Sequence, residues 1–194
     1  MITDMHQLID DPGLPPAEAA WRTQPWYQRV LWPALKLIVA LAIFWALSAR
    51  AEVRVGDAFP ALSAADLSGA LPATKGQVVF VDFWASWCAP CKASFPAYAR
   101  IFADFAPKGL VVVAVSVDES NSAYAGFLRK SAPPFPTVRD QHQNLVRQVR
   151  VPTMPTSYLI GRDGKVRYMH VGYHGAQTER EVRSEIQTLL DEKS

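Results

Sequence analysis

The chain carries two cysteines, Cys88 and Cys91, in a C-x-x-C spacing within Trp84-Ala85-Ser86-Trp87-Cys88-Ala89-Pro90-Cys91-Lys92. The apolar, β-branched run Val78-Val79-Phe80-Val81 precedes them, and residues at helical spacing follow. Cys88 is therefore expected at a helix N-terminus, where unsatisfied N–H groups and the helix dipole favour a thiolate. A thiolate is the attacking species in disulfide exchange. Cys91, one helical turn on, can resolve the mixed disulfide that forms. Tetrahedral zinc needs about four ligands, and His6, His142, His170 and His174 lie scattered without ligand spacing. A purely structural disulfide over so short a loop would constrain the unfolded chain little. Thiol–disulfide exchange is the chemistry this pair is best placed to perform, and it needs no cofactor.

The surrounding pattern alternates strands and helices. Val78 to Val81 reads as a strand buried on both faces. Phe95, Tyr98, Phe102 and Phe105 make one apolar helical face, which Pro107 and Gly109 terminate. Leu110 to Val117 is a second buried strand. Ser122 to Lys130 reads as a helix stopped by Pro133-Pro134, and Leu145 to Val149 as a short helical turn. Ser157 to Ile160 and Val166 to Val171 are strands joined through Gly161-Arg162-Asp163-Gly164. Thr178 followed by Glu181 is a capping-box signature, predicting that a last helix opens there. The order gives an α/β sandwich. Asp118 and Glu119 read as loop acids after the second strand, with a place lining the cleft as the alternative, Trp84 as a core residue, and His170 and His174 as exposed positions beside Gly172.

A net charge of +2 without a basic run gives nucleic-acid binding no electrostatic support. Residues 1–29 are polar, and Pro12, Pro15, Pro16 and Pro25 discourage regular structure. Leu31 to Ala49 is a nineteen-residue apolar stretch interrupted by Pro33, Lys36 and Ser48. Such a length just spans a bilayer core of ~30 Å. Trp26, Tyr27 and Trp32 crowd one end as interfacial aromatics do. The expected organisation is a polar segment 1–29, a membrane anchor 30–50 and a redox domain 51–194. A cleaved signal peptide ending at Ala49-Arg50-Ala51 is the alternative. Either reading exports the redox domain, to the periplasm of a bacterial inner-membrane protein or elsewhere outside the cytoplasm.

Several motifs in the same order resemble the membrane-anchored bacterial thiol–disulfide oxidoreductases of the TlpA/ResA/CcmG type, in the thioredoxin superfamily. They are Gly56-Asp57-x-Phe59-Pro60, the Phe83-to-Lys92 segment, Val111 to Asp118, and Met154-Pro155-Thr156-Ser157-Tyr158-Leu159-Ile160 with Asp163-Gly164-Lys165. The resemblance runs from about Val55 to the C-terminus and implies a thioredoxin-like fold, a central mixed sheet flanked by helices. It implies Cys88 as nucleophile and Cys91 as resolving thiol. It places Asp82 where the thioredoxin branch has a buried carboxyl that exchanges a proton with the second cysteine. Met154-Pro155 matches its cis-proline loop, which pairs with an extended substrate, and Trp87 would cover the apolar surround of the nucleophile. Implied partners are proteins with cysteine pairs, such as apocytochrome c or copper-site proteins, and a membrane electron donor. One departure stands out: many ResA-like chains carry a Glu three residues after the second cysteine, and here that residue is Ser94. With no His or extra cation between the cysteines, the Ala89-Pro90 pair favours a reductant. An oxidase or isomerase using the same site, and a copper-delivery module using His170 and His174, are the rival readings.

Overall fold

The strand that leads to the cysteines is buried along its whole length: all seven residues of β1 (Val78–Trp84) are inaccessible. That is what a continuous β-branched and aromatic run requires, since it has no polar face to give to water. In the computed structural model, which describes residues 33, 35–40 and 52–192, β1 is followed by α1 (Ala89–Phe105), β2 (Leu110–Ser116), α2 (Asn121–Ser131), β3 (Thr137–Arg139), α3 (Asn144–Val149), β4 (Thr156–Ile160), β5 (Val166–Val171) and α4 (Ala176–Asp191). The strands form one sheet in the order β3-β2-β1-β4-β5. β1 pairs parallel with β2 and antiparallel with β4, so the sheet is mixed and β1 is its centre. β3 extends the parallel half and β5 the antiparallel half. This is the helix-flanked mixed sheet that the resemblance implies.

Side chains alternate along β1. Phe80 and Trp84 face α1, their rings meeting Tyr98 at 4.9 Å and Phe95 at 4.8 Å. Phe83 points to the other face, where it meets Tyr158, which in turn meets Phe59 of the segment before β1. Trp84 also touches Phe127 of α2 at 4.7 Å, so a cluster of aromatic rings fills the space under the cysteine loop. The helix α1 continues through Pro96 to Phe105, and a 3-10 turn at Ala106–Lys108 ends at Gly109, whose φ of 102° suits glycine. On the surface Arg100 of α1 pairs with Glu179 of α4 at 2.5 Å, and Arg183 of α4 reaches Asp104 of α1 at 2.7 Å.

One strand was not expected, and two expectations are corrected. β3 had no counterpart in the sequence reading, because three residues at a sheet edge carry no periodicity. The last helix begins at Ala176 with Gly175 as its N-cap, two residues before Thr178. Thr178 is buried, and its hydroxyl accepts from the His174 N–H at 3.0 Å instead of capping the first turn as N-cap. His170 is not exposed: its Nε2 lies 2.6 Å from Glu185, and its Nδ1 lies 3.9 Å from Glu181.

The chain divides into two units, Met1–Arg50 and Ala51–Ser194. In the first, the described residues are helical, with Leu35, Leu37, Ile38 and Val39 exposed. The polar segment 1–29 and most of the expected anchor at 30–50 lie outside the described residues. Among the described residues no helix is long and apolar enough to cross a membrane.

Because Trp84 is fully buried between α1 and α2, Trp84→Ala should cost about 3–5 kcal/mol. Urea unfolding followed by circular dichroism would measure this loss.

Candidate redox site

The chain leaves β1 at Trp84 and turns through Ala85-Ser86-Trp87 into α1. Cys88 is the N-cap of that helix, and its sulfur accepts the Cys91 N–H at 3.3 Å. Pro90 occupies the first turn, where a missing N–H leaves nothing unpaired. The two sulfurs are joined in a disulfide. Cys88 retains a small exposure of 5%, whereas Cys91 is fully buried behind it. Of the two, only Cys88 is open to solvent.

The turn is anchored from β2. The Ser86 N–H donates to both oxygens of Asp118 at 3.2 and 2.9 Å, and the Ser86 hydroxyl donates to Oδ1 at 2.8 Å. The Ser116 hydroxyl donates to Oδ2 at 2.8 Å and accepts the Asp118 N–H at 3.0 Å. Asp118 is thus a buried clamp on the cysteine loop rather than the loop acid that its sequence position suggests. Glu119 beside it lies on the cleft wall.

Asp82 lies on the α1 side of β1, between Phe80 and Trp84, with Ala114 and Ser157 as its neighbours across the sheet. It is 1% exposed, and neither carboxyl oxygen has a hydrogen-bond partner of normal geometry. Burial raises its pKa well above the usual carboxylate range, and the nearby Tyr98 phenol offsets part of that rise. Tyr98 is itself pushed upward, first by burial and then by the Asp82 charge. Along α1, Cys91, Ser94 and Tyr98 recur at i, i+3 and i+7 and all three are buried. The Ser94 hydroxyl donates to the Cys91 carbonyl at 2.8 Å.

The Met154–Pro155 peptide is cis, as the resemblance implies. The Pro155 carbonyl accepts the Gly172 N–H at 2.8 Å, which ties this loop to the end of β5. Met154 and Trp87 share the lining of a cleft of about 470 Å³ with Val117, Glu119, Ala123 and Val146. Trp87 is 69% exposed, so it is a rim residue and not core. A second cavity, of about 360 Å³, lies at the far end of β1 between Phe59, Leu62, Lys75, Val79, Ile160 and Arg162, away from the cysteine motif. The predicted residues Cys88, Cys91, Asp82, Trp87, Met154 and Pro155 are thus carried by three neighbouring parts of the fold: β1, the start of α1 and the loop before β4. The cleft position of Asp118 matches the alternative that the sequence offers, but its clamp on Ser86, and the place of Tyr98 beside Asp82, are not read from the sequence. A Ser-x-Asp at a strand end, and a Tyr seven residues after the second cysteine, were the available signals.

A mixed sheet that delivers a C-x-x-C disulfide to a helix N-terminus, with a cis-proline loop in the same fold, defines a thioredoxin-like dithiol enzyme. The chain belongs to the AhpC/TSA family, whose model matches residues 55–169, and it is a thiol–disulfide oxidoreductase of the TlpA/ResA/CcmG type. The thiol-disulfide oxidoreductase ResA of Bacillus thuringiensis (strain Al Hakam) is 32% identical over 120 residues, covering 60% of this chain and 69% of that protein. ResA of Bacillus subtilis (strain 168) is 39% identical over 92 residues, covering 47% of this chain and 51% of the relative. A Chlorobium tepidum structure solved as a thiol:disulfide interchange protein DsbE matches with a TM-score of 0.65 at 35% identity. That match covers 72% of this chain and 99% of the other.

Because the folded pKa of Asp82 is raised, the folded state keeps this proton at a pH where the unfolded chain has released it. The stability contributed is complete below the unfolded carboxyl's pKa and is lost as pH rises through the folded value. Asp82→Ala should therefore gain stability relative to the parent as pH rises from about 4 to about 8, as paired denaturation curves at the two pH values would show.

Proposed function

We propose that this enzyme reduces disulfides in proteins outside the cytoplasm, held to the membrane by residues 30–50 and resupplied by a membrane electron donor. The observation that carries the reading is the order of burial in one motif. A slightly exposed Cys88 caps α1, a fully buried Cys91 stands behind it, and a buried Asp82 without partners lies on the adjoining strand. In the proposed cycle the Cys88 thiolate attacks a substrate disulfide, forming a mixed disulfide and releasing the first substrate thiolate. Cys91 then gives its proton to Asp82 and attacks the Cys88 sulfur. The Cys88–Cys91 bond forms, the bond from Cys88 to substrate breaks, and the second substrate sulfur leaves with its electron pair. Two electrons have passed to the substrate.

The cis Met154–Pro155 loop would offer backbone groups to an extended substrate strand, while Trp87 and Met154 would supply apolar contact. The Ala89-Pro90 pair places no cation between the cysteines to stabilise the thiolate, which favours the reducing direction. Ser94 replaces the acid that many ResA-like chains carry, so a general disulfide reductant fits better than one dedicated to cytochrome c maturation.

Three outcomes are expected. In the reduced protein Cys88 alkylates faster than Cys91 at neutral pH; Cys88→Ser abolishes exchange, and Cys91→Ser accumulates mixed disulfides. Equal alkylation rates would defeat the assignment of roles. Equilibration with glutathione should place the potential on the reducing side of about −200 mV, whereas a value near −120 mV would instead make the chain an oxidase. A reporter fused to the C-terminus should be active only if it is one that works outside the cytoplasm, and cytoplasmic activity would contradict export.

A further inference from the structure

Asp82 presents a problem that the cysteines alone do not solve. To take the Cys91 proton it must first be ionised, yet it sits in the sheet with both oxygens unpartnered. A bare carboxylate there is costly, because a charge removed from water needs hydrogen bonds to replace hydration. The surrounding elements supply few candidates. From β2 the neighbour is Ala114. From β4 it is Ser157, a donor that does not titrate in this range. Beyond Ser157 in the sheet stands His170 of β5, engaged with Glu185 and Glu181 of α4. No ion pair involving Asp82 occurs among the described residues. From α1 come the Cys91 thiol, Ser94 and Tyr98.

Tyr98 is the group built for the task. It is 2% exposed, and its ring is gripped edge-on by Phe80 at 4.9 Å and by Tyr173 at 6.2 Å. Phe80, which it meets, stands two residues before Asp82 on the same face of β1, Ser157 is the neighbour of Asp82 across the sheet, and Ser94 lies one turn earlier on the buried face of α1. Tyr98 shares the buried stripe of α1 with Cys91, so the helix that carries the proton donor also carries the hydroxyl.

We infer that Tyr98 is a positioning residue for the reaction: when Asp82 ionises, the Tyr98 hydroxyl turns to donate to its carboxylate and keeps that buried group able to accept the Cys91 proton. This rests on the transfer from Cys91 to Asp82 proposed above. When Cys91 delivers its proton, Asp82 becomes a neutral acid and its need for the Tyr98 donor falls away. The hydroxyl is then free to turn to Ser94 or Ser157.

The test uses the full reduced chain and the aromatic disulfide dithionitrobenzoate, whose thiolate product is coloured. The first equivalent released reports attack by Cys88, the second reports resolution by Cys91. Tyr98→Phe keeps the ring and removes the hydroxyl. The second release should slow about tenfold at pH 7, the scale of one hydrogen bond to a charged group, and its pH profile should move to higher pH. The first release should be unchanged. In an Asp82→Asn background Tyr98→Phe should add nothing, because the two act as one unit. Should the phenylalanine variant not fold, 3-fluorotyrosine placed at position 98 strengthens the donor and should move the profile to lower pH. A second-phase profile unmoved by either change would overturn the inference, as would equal slowing in the Asp82→Asn background. Failure of the unsubstituted protein to release a second equivalent would instead count against the dithiol cycle itself.

Discussion

The packing of α1 along β1 is the constraint on which the site depends. A strand with no polar face must be covered on both sides, and α1 is the element that covers the end nearest the cysteines. Its apolar face meets Phe80 and Trp84 through Tyr98 and Phe95. Once that contact is made, the start of the helix has one place to be, and Cys88 is its cap. The same contact sets Cys91, Ser94 and Tyr98 against the sheet on the face that holds Asp82. A redox pair, an acid and a hydroxyl are thus ordered by hydrophobic burial of their neighbours. The aromatic rings supply the free energy, and the polar groups are carried in with them at a cost.

The loop between β1 and α1 is held by a different force. Asp118 comes from the end of the neighbouring strand and takes three donors from Ser86 and Ser116. The parallel register of β1 with β2 sets Trp84 opposite Ser116, so the clamp follows from the sheet. Hydrogen bonds to a buried carboxylate are among the stronger ones available to a protein. They fix the backbone two residues before the nucleophile, where aromatic packing alone would leave Ser86 and Trp87 free to swing. Trp87 can then stay exposed at the cleft rim without loosening its neighbours.

Much of this was legible in the chain. Continuous runs such as Val78–Val81 and Leu110–Val117 announce buried strands, because no other arrangement hides so many adjacent apolar groups. The C-x-x-C pair announces its chemistry by spacing, and Asp82 stands out as an ionisable residue in an otherwise apolar run. Most of the losses depend on a partner distant in sequence. Asp118 resembles a loop acid until Ser86, thirty-two positions away, is brought beside it. His170 looked exposed because Glu185 lies on a helix whose docking cannot be read locally. Tyr98 passed as one more aromatic in an apolar stripe, since periodicity records which way a side chain faces and not what its hydroxyl meets. The start of α4 was misplaced because Thr178 has a capping residue's chemistry but spends it on His174.

The central position of β1 also bears on how the chain is made. β1 needs β4 as its antiparallel neighbour, and α1 is tied to α4 through Arg100 and Glu179. Both partners come late in the chain, long after the cysteines have been synthesised. The chain is synthesised from its N-terminus and a domain folds as a unit, so the cysteine segment is out before the elements that enclose it. Until β4 arrives, Asp82 lacks its neighbour Ser157 across the sheet. The buried acid and the shielded second thiol are therefore properties of the finished molecule, and a nascent chain would present two ordinary thiols to its surroundings.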